Sequence, residues 1–140
     1  MKKNKKFIIY TDGGARGNPG PAAIGIIIYD ENRNLIKKYS KFIGETTNNQ
    51  AEYEAVIQAL KEAKQLMAEE IDCYLDSKLL VGQLNRKFKI KDQELSKAFI
   101  KIWNLSQSFK KINFFYIPRE KNKEADALVN LAIDKMVTLK

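Results

Sequence analysis

The chain has no histidine and a single cysteine, Cys73, among its 140 residues. Without an imidazole, Ser-His and Cys-His catalysis and Cys/His zinc sites are excluded, and one thiol cannot close an internal disulfide. Any chemistry must therefore be carried by carboxylates, lysines or hydroxyls. Long apolar runs are also missing. The basic stretch MKKNKK is followed only by Phe7 to Tyr10 before Thr11 and Asp12 intervene, too short for a signal-peptide core or a membrane span. Asn104-Leu105-Ser106 matches a glycosylation acceptor, but without a secretion signal it reads as an unmodified helix segment. The expectation is an intracellular, cytoplasmic protein with no membrane attachment.

What is present fits one compact domain over residues 1–140: 16.1 kDa with 44% hydrophobic residues is enough to bury a core unaided. Lys and Arg number 25 against 17 Asp and Glu, a formal charge of +8. That balance suits a polyanionic partner such as nucleic acid, and equally a lysine-rich surface that keeps the protein soluble. Phe7 to Thr11 reads as a buried strand, Gly13 to Pro21 as a long turn and Ile24 to Tyr29 as a second strand. Asp30 to Asn34 reads as a hairpin turn and Leu35 to Ile43, interleaved with lysines, as an edge strand. From Asn49 to about Ala68 the period becomes helical, with Val56, Ala59, Ala63 and Leu66 on one stripe. Ile71 to Leu75 alternates as a strand, and Ser77 to Leu84 is a short helix capped by Asp76 or Ser77. Asp92 to about Phe109 is helical, Ile112 to Ile117 a strand, and Asn122 to Val137 a last helix with Ala125, Leu128, Val129, Ala132 and Met136 inside. The order βββαβααβα predicts an α/β fold with a five-stranded mixed sheet, an antiparallel meander extended by two strands parallel to the first.

Four acids stand in awkward places. Asp12 ends an apolar strand and Asp76 ends another. Glu52 precedes Val56, Ala59 and Ala63 by four, seven and eleven residues, which puts it on the apolar stripe. Asp126 shares a phase with Val129 and Ile133. Singly, each has an ordinary explanation as a turn residue, an N-cap or a charge near a helix start. Parallel neighbouring strands, however, would deliver Asp12 and Asp76 to one sheet edge, where helix starts carrying Glu52 and Asp126 can converge. Carboxylates about 4 Å apart repel by about 4 kcal/mol per pair at an effective dielectric of 20, so such a cluster calls for protons or hard cations, Mg²⁺ or Mn²⁺. The spacing of Gly14, Gly17 and Gly20 matches neither a dinucleotide fingerprint nor a P-loop, and a strand follows it.

YTDGGARGNPGP, TTNNQAEYEAVIQAL, LDSKLLVGQL and PREKNKEADALVNLA together resemble the four motif blocks of type 1 ribonuclease H, in order and over essentially the whole chain. The resemblance implies a ribonuclease H-like fold and an endonuclease that cuts the RNA strand of RNA/DNA hybrids to 5'-phosphate and 3'-hydroxyl ends. It maps metal binding onto Asp12, Glu52, Asp76 and Asp126, with two Mg²⁺ ions (Mn²⁺ able to substitute) and Asp12 bridging them. It also implies that Asn18, Asn48 and Asn49 reach the minor groove and help read ribose 2'-hydroxyls, and that Thr47 holds a phosphate of the DNA strand; for Asn48 and Asn49 turn and N-cap duty is the alternative.

Two departures stand out. The catalytic-loop histidine of many bacterial members is absent and Arg119 stands nearest, as in an archaeal-like subgroup. The basic handle after the third acid is replaced by the short run Asn85 to Asp92, leaving Arg86, Lys87, Lys89 and Lys91, so weaker hybrid affinity and broader substrate choice are expected. A monomer needing no protein partner is the expected form. The competing readings are a catalytically silent nucleic-acid-binding module of the same fold and a related superfamily nuclease, such as a transposase or a junction resolvase, acting on another duplex.

Overall fold

A computed structural model describes residues 5–138. Met1 to Asn4 of the basic MKKNKK run and the last two residues of the expected domain 1–140 lie outside the described residues. The strands are β1 (Lys6–Ala15), β2 (Gly20–Asp30), β3 (Leu35–Thr46), β4 (Glu70–Leu75) and β5 (Lys111–Tyr116). The helices are α1 (Asn48–Gln65), α2 (Lys78–Leu84), α3 (Gln93–Ser106) and α4 (Lys123–Thr138), with a 3-10 turn at Arg119–Lys121. The sheet order is β3-β2-β1-β4-β5; β1 pairs antiparallel with β2 and β2 with β3, while β4 runs parallel to both β1 and β5. This is the expected meander with two added parallel strands.

Burial explains the arrangement. β2 is apolar on both faces because helices cover both: Ile24, Ile26 and Ile28 join Ile9, Val56, Ala59, Leu60 and Cys73 on the α1 side, and Ala23 meets Val129 and Ile133 of α4 on the other. A strand buried on both faces reads as a continuous apolar run. β3 lies at the edge and keeps Lys37, Lys38 and Lys41 in solvent, which discourages pairing with other chains. Thr47 caps α1 by accepting from the Gln50 N–H at 3.1 Å, and Asp92 caps α3 through the Glu94 and Leu95 N–H groups; such caps contribute about 1 kcal/mol each. Among the described residues no helix is long and apolar enough to cross a membrane.

The boundaries differ from expectation in instructive ways. β1 does not stop at Thr11: the ladder continues through Asp12↔Gly25, Gly13↔Ile24, Gly14↔Ala23 and Ala15↔Ala22, so the turn is confined to residues 16–19. Gly13 and Gly25 are not turn residues but points of close approach. A Cβ on Gly13 would lie 2.2 Å from the Ala51 carbonyl oxygen, and one on Gly25 would lie 2.3 Å from that of Ala125. The turn itself uses Gly17, at φ +100°. α1 ends at Gln65 rather than near Ala68, because Met67 takes φ +61° and the Ala68 N–H returns to the Ala63 carbonyl. α3 ends at Ser106, and residues 107–109 form turns rather than continuing the helix.

Candidate metal centre

β1 and β4 run side by side, Ile9 opposite Cys73 and Tyr10 opposite Tyr74. Asp12 and Asp76 therefore emerge at the same end of the sheet. The missing side chain at Gly13 lets the first turn of α1 press onto β1 and brings Glu52 to the same end. One carboxylate oxygen each from Asp12, Glu52 and Asp76 lie within 4.8 Å of one another. Asp126 is not one of those three, but it lines the same cleft from α4 and its charge acts on Asp12. Asp12 is thus the acid common to both groupings. All four line a cleft of about 590 Å³ with Arg119, Asn48 and Asn49.

The electrostatics match the crowding. Burial first, then the charges of Asp76, Asp126 and Glu52, push the Asp12 carboxyl up to about 8. Burial and Asp76 raise Glu52 to about 7, against the downward pull of a Ser77 hydrogen bond and the Arg119 charge. A buried carboxylate among like charges stays ionised at neutral pH only with a cation beside it. Every donor here is a carboxylate oxygen, a set that suits a hard divalent ion.

Neutral side chains hold the acids. Asn122 is 2% exposed, and its Nδ2 donates at 2.9 Å both to the Thr11 carbonyl and to Asp76 Oδ2. One amide thereby fastens the start of α4 to β1 and to the third acid. Asn130 Nδ2 donates to the Asp126 carbonyl at 3.3 Å and to its carboxylate at 3.4 Å. Arg16 in turn donates to Asn130 Oδ1 at 3.2 Å and pairs with Asp134 at 2.6 Å. Sequence reasoning did not single out Asn122, Asn130 or Arg16. For Asn122 a signal existed: it precedes Ala125, Val129 and Ile133 by three, seven and eleven residues, the same intrusion into an apolar phase that marks Glu52.

Ser77, not Asp76, caps α2, its hydroxyl accepting from the Leu80 N–H at 3.1 Å, which leaves the Asp76 carboxylate to the cleft. Thr47, not Asn48 or Asn49, caps α1. Asn48 Oδ1 accepts from the Ala15 N–H at 2.8 Å, and Asn18 Oδ1 accepts from the Asn48 N–H at 3.0 Å. Asn18 and Thr47 therefore brace the first turn of α1, while Asn48 and Asn49 are exposed at the cleft. Arg119 stands in the 3-10 turn before α4, exposed and lining the cleft.

The reverse transcriptase-like family matches residues 10–132. The bifunctional protein Rv2228c of Mycobacterium tuberculosis is 40% identical over 130 residues, covering 92% of this chain but 36% of its own length. The chain thus spans about a third of such relatives. A ribonuclease H of Clostridium botulinum is 33% identical over 150 residues, covering 94% of this chain and 97% of that protein. Among solved structures, LC11-RNase H1, isolated from compost and crystallised in complex with an RNA/DNA hybrid, is 47% identical at a TM-score of 0.90, covering 94% of this chain and 99% of that one.

Proposed function

The chain belongs to the ribonuclease H family, and we propose that it is a divalent-metal-dependent endonuclease that hydrolyses the RNA strand of RNA/DNA hybrids, leaving 5'-phosphate and 3'-hydroxyl ends. The observation that carries this reading is the meeting of Asp12, Glu52 and Asp76 oxygens within 4.8 Å at the end of two parallel strands. The hybrid seen with LC11-RNase H1 supports the substrate.

The donor set fits Mg²⁺, with Mn²⁺ as a substitute: Asp12, Glu52 and Asp76 would hold one ion, and Asp12 with Asp126 a second. When bound, such ions stabilise charge on the scissile phosphate and leaving oxygen and make water a stronger nucleophile. The protein's part is to hold the acids rigid and close together. Asp12 is fixed by its strand ladder, Asp76 by Asn122 and Asp126 by Asn130. Arg119 is permanently charged, so it holds a phosphate or draws on the product rather than moving protons. With Oδ1 of Asn48 taken by Ala15, its amide presents donors, which suits the oxygen of a ribose 2'-hydroxyl. Asn49 beside it and Asn18, which supports the turn, complete the ribose-reading edge, and Thr47 takes a phosphate of the DNA strand.

The test is cleavage of end-labelled RNA/DNA, RNA/RNA and DNA/DNA duplexes with Mg²⁺ and with EDTA. The expected result is scission of the hybrid's RNA strand, in Mg²⁺ only, with 5'-phosphate products. Equal cutting of the all-DNA duplex would favour a superfamily nuclease of another specificity, and binding without cutting would favour a silent module.

A further inference from the structure

A second cleft, of about 390 Å³, lies between the end of α2 with the segment after it, the later turns of α3, and β5. It shares no lining residue with the acid cleft. Its lining carries the cations Arg86, Lys110 and Lys111 and the rings of Phe99, Trp103 and Phe114, and contains no carboxylate. Trp103 is 43% exposed, with the Arg86 guanidinium 4.5 Å from its ring centroid. Outside the lining, Glu69 lies 4.0 Å from Lys110.

The rim is built rather than loose. The Lys87 and Phe88 N–H groups donate to the Gly82 carbonyl at 2.8 and 3.1 Å, and Asn85 Nδ2 donates to the Phe114 carbonyl at 3.2 Å. Gly82 lacks the Cβ that would strike the Phe88 ring at 2.1 Å. Arg86 is therefore presented over Trp103 by a fixed turn. An exposed indole under a guanidinium, flanked by lysines and free of carboxylate, matches a ligand with both phosphates and accessible π faces. A duplex hides its base faces in the stack, whereas an unpaired strand offers them. The cleft begins where α2 ends, and α2 starts two residues after Asp76. At 1.5 Å per residue that helix separates the two clefts by roughly 10 Å, a span of a few nucleotides.

We propose that this cleft binds single-stranded nucleic acid, the unpaired flank of a hybrid whose duplex part lies at the acid cleft. The duplex part of this statement rests on the hybrid-nuclease reading; single-strand binding does not. Trp103 is the only tryptophan in the chain, so its emission reports on this cleft alone. Titration of the full chain with oligo-dT at low salt should give saturable quenching that weakens as salt rises. The quenching should be several-fold weaker in Arg86→Gln and in Lys110→Glu/Lys111→Gln. A hybrid with a single-stranded overhang should bind several-fold tighter than a blunt one to the parent chain and equally to the Lys110→Glu/Lys111→Gln variant, which should still cut the blunt hybrid at the parental rate. Absence of quenching by oligo-dT, equal quenching by a blunt duplex, or equal quenching by poly-glutamate would overturn the proposal. Quenching by oligo-dT in a chain that cuts no hybrid would leave this site standing and remove the hybrid-nuclease reading instead.

Discussion

The parallel pair β1 and β4 carries acids at both ends, and the two ends treat them oppositely. At the start of the strands, Lys6 lies 3.1 Å from Asp72 and 3.5 Å from Glu70, and Asn113 donates to Asp72 at 3.0 Å. The hydrogen bond and charge of Asp72 hold the Lys6 ammonium on to higher pH than usual. At the other end Asp12, Glu52 and Asp76 converge with Asn122 as a neutral brace and Arg119 as a cation lining the same cleft, and the result is carboxyls pushed up rather than down. Where charge serves only the fold, a lysine is supplied. Where the same strands deliver carboxylates to a cleft, compensation is left to something the chain does not contain.

The sharpest way to break this contrast is to neutralise one acid at each end. Asp12→Asn should lower turnover on a hybrid by on the order of 10³-fold or more, the scale of losing a principal electrostatic group at the reacting centre. In EDTA it should raise Tm, since it removes a crowded carboxylate. Parental turnover, or a Tm drop without metal, would contradict the assignment. Next in size is the brace. Asn122→Ala should cost about 10- to 100-fold in turnover and in Mg²⁺ affinity, the range for a partner that orients a metal ligand. Calorimetric Mg²⁺ titration separates that effect from simple loss of fold, and unchanged affinity would make Asn122 a structural residue only.

A gentler probe is pH. The folded Asp12 and Glu52 carboxyls, at about 8 and about 7, lie above their ordinary values of 3.8 and 4.5. Between those limits the native chain keeps protons that the unfolded chain has released. Their contribution to stability is therefore complete below about pH 4 and is lost as pH rises through 7 and 8. Tm in EDTA should fall over that window, saturating Mg²⁺ should flatten the fall, and Asp12→Asn should remove most of it; a metal-free Tm that rises from pH 5 to 8 would refute the crowding. Smallest of all should be Lys6→Ala at the compensated end. Partly exposed ion pairs contribute little, so the variant should show a slight decrease in Tm and unchanged turnover; a large loss of activity would mean that the two ends are not independent.

The candidate site was legible where charge intruded on an apolar pattern. Asp12 and Asp76 close apolar strand runs, Glu52 and Asp126 fall in apolar helix phases, and the structure places all four at one cleft. The strand directions were legible for another reason, since a strand reached through a helical crossover runs parallel to the strand before it. The extent of β1 was not legible. Gly13-Gly14 reads as a turn, and only contact with the Ala51 carbonyl, a tertiary fact, shows that Gly13 belongs to a strand. Asn122 escaped notice because a neutral amide in an apolar phase is less conspicuous than a charge. Asn130 and Arg16 lie on exposed positions where pattern carries no information, and only the fold brings them together.

The place of Asp12 within the ladder, rather than at its end, has a consequence in time. Its partner Gly25 lies on β2, a strand whose apolar residues are buried on both faces. Backbone amides in such a position exchange with solvent only when the whole domain opens, whereas amides in exposed turns exchange through local fluctuations. The carboxylate that the proposed function places at both metal positions therefore sits on a strand paired into the core, and the segment 85–92 belongs to the exposed surface. On the proposed function, a metal ion would leave and return many times within one opening of the strand that receives it.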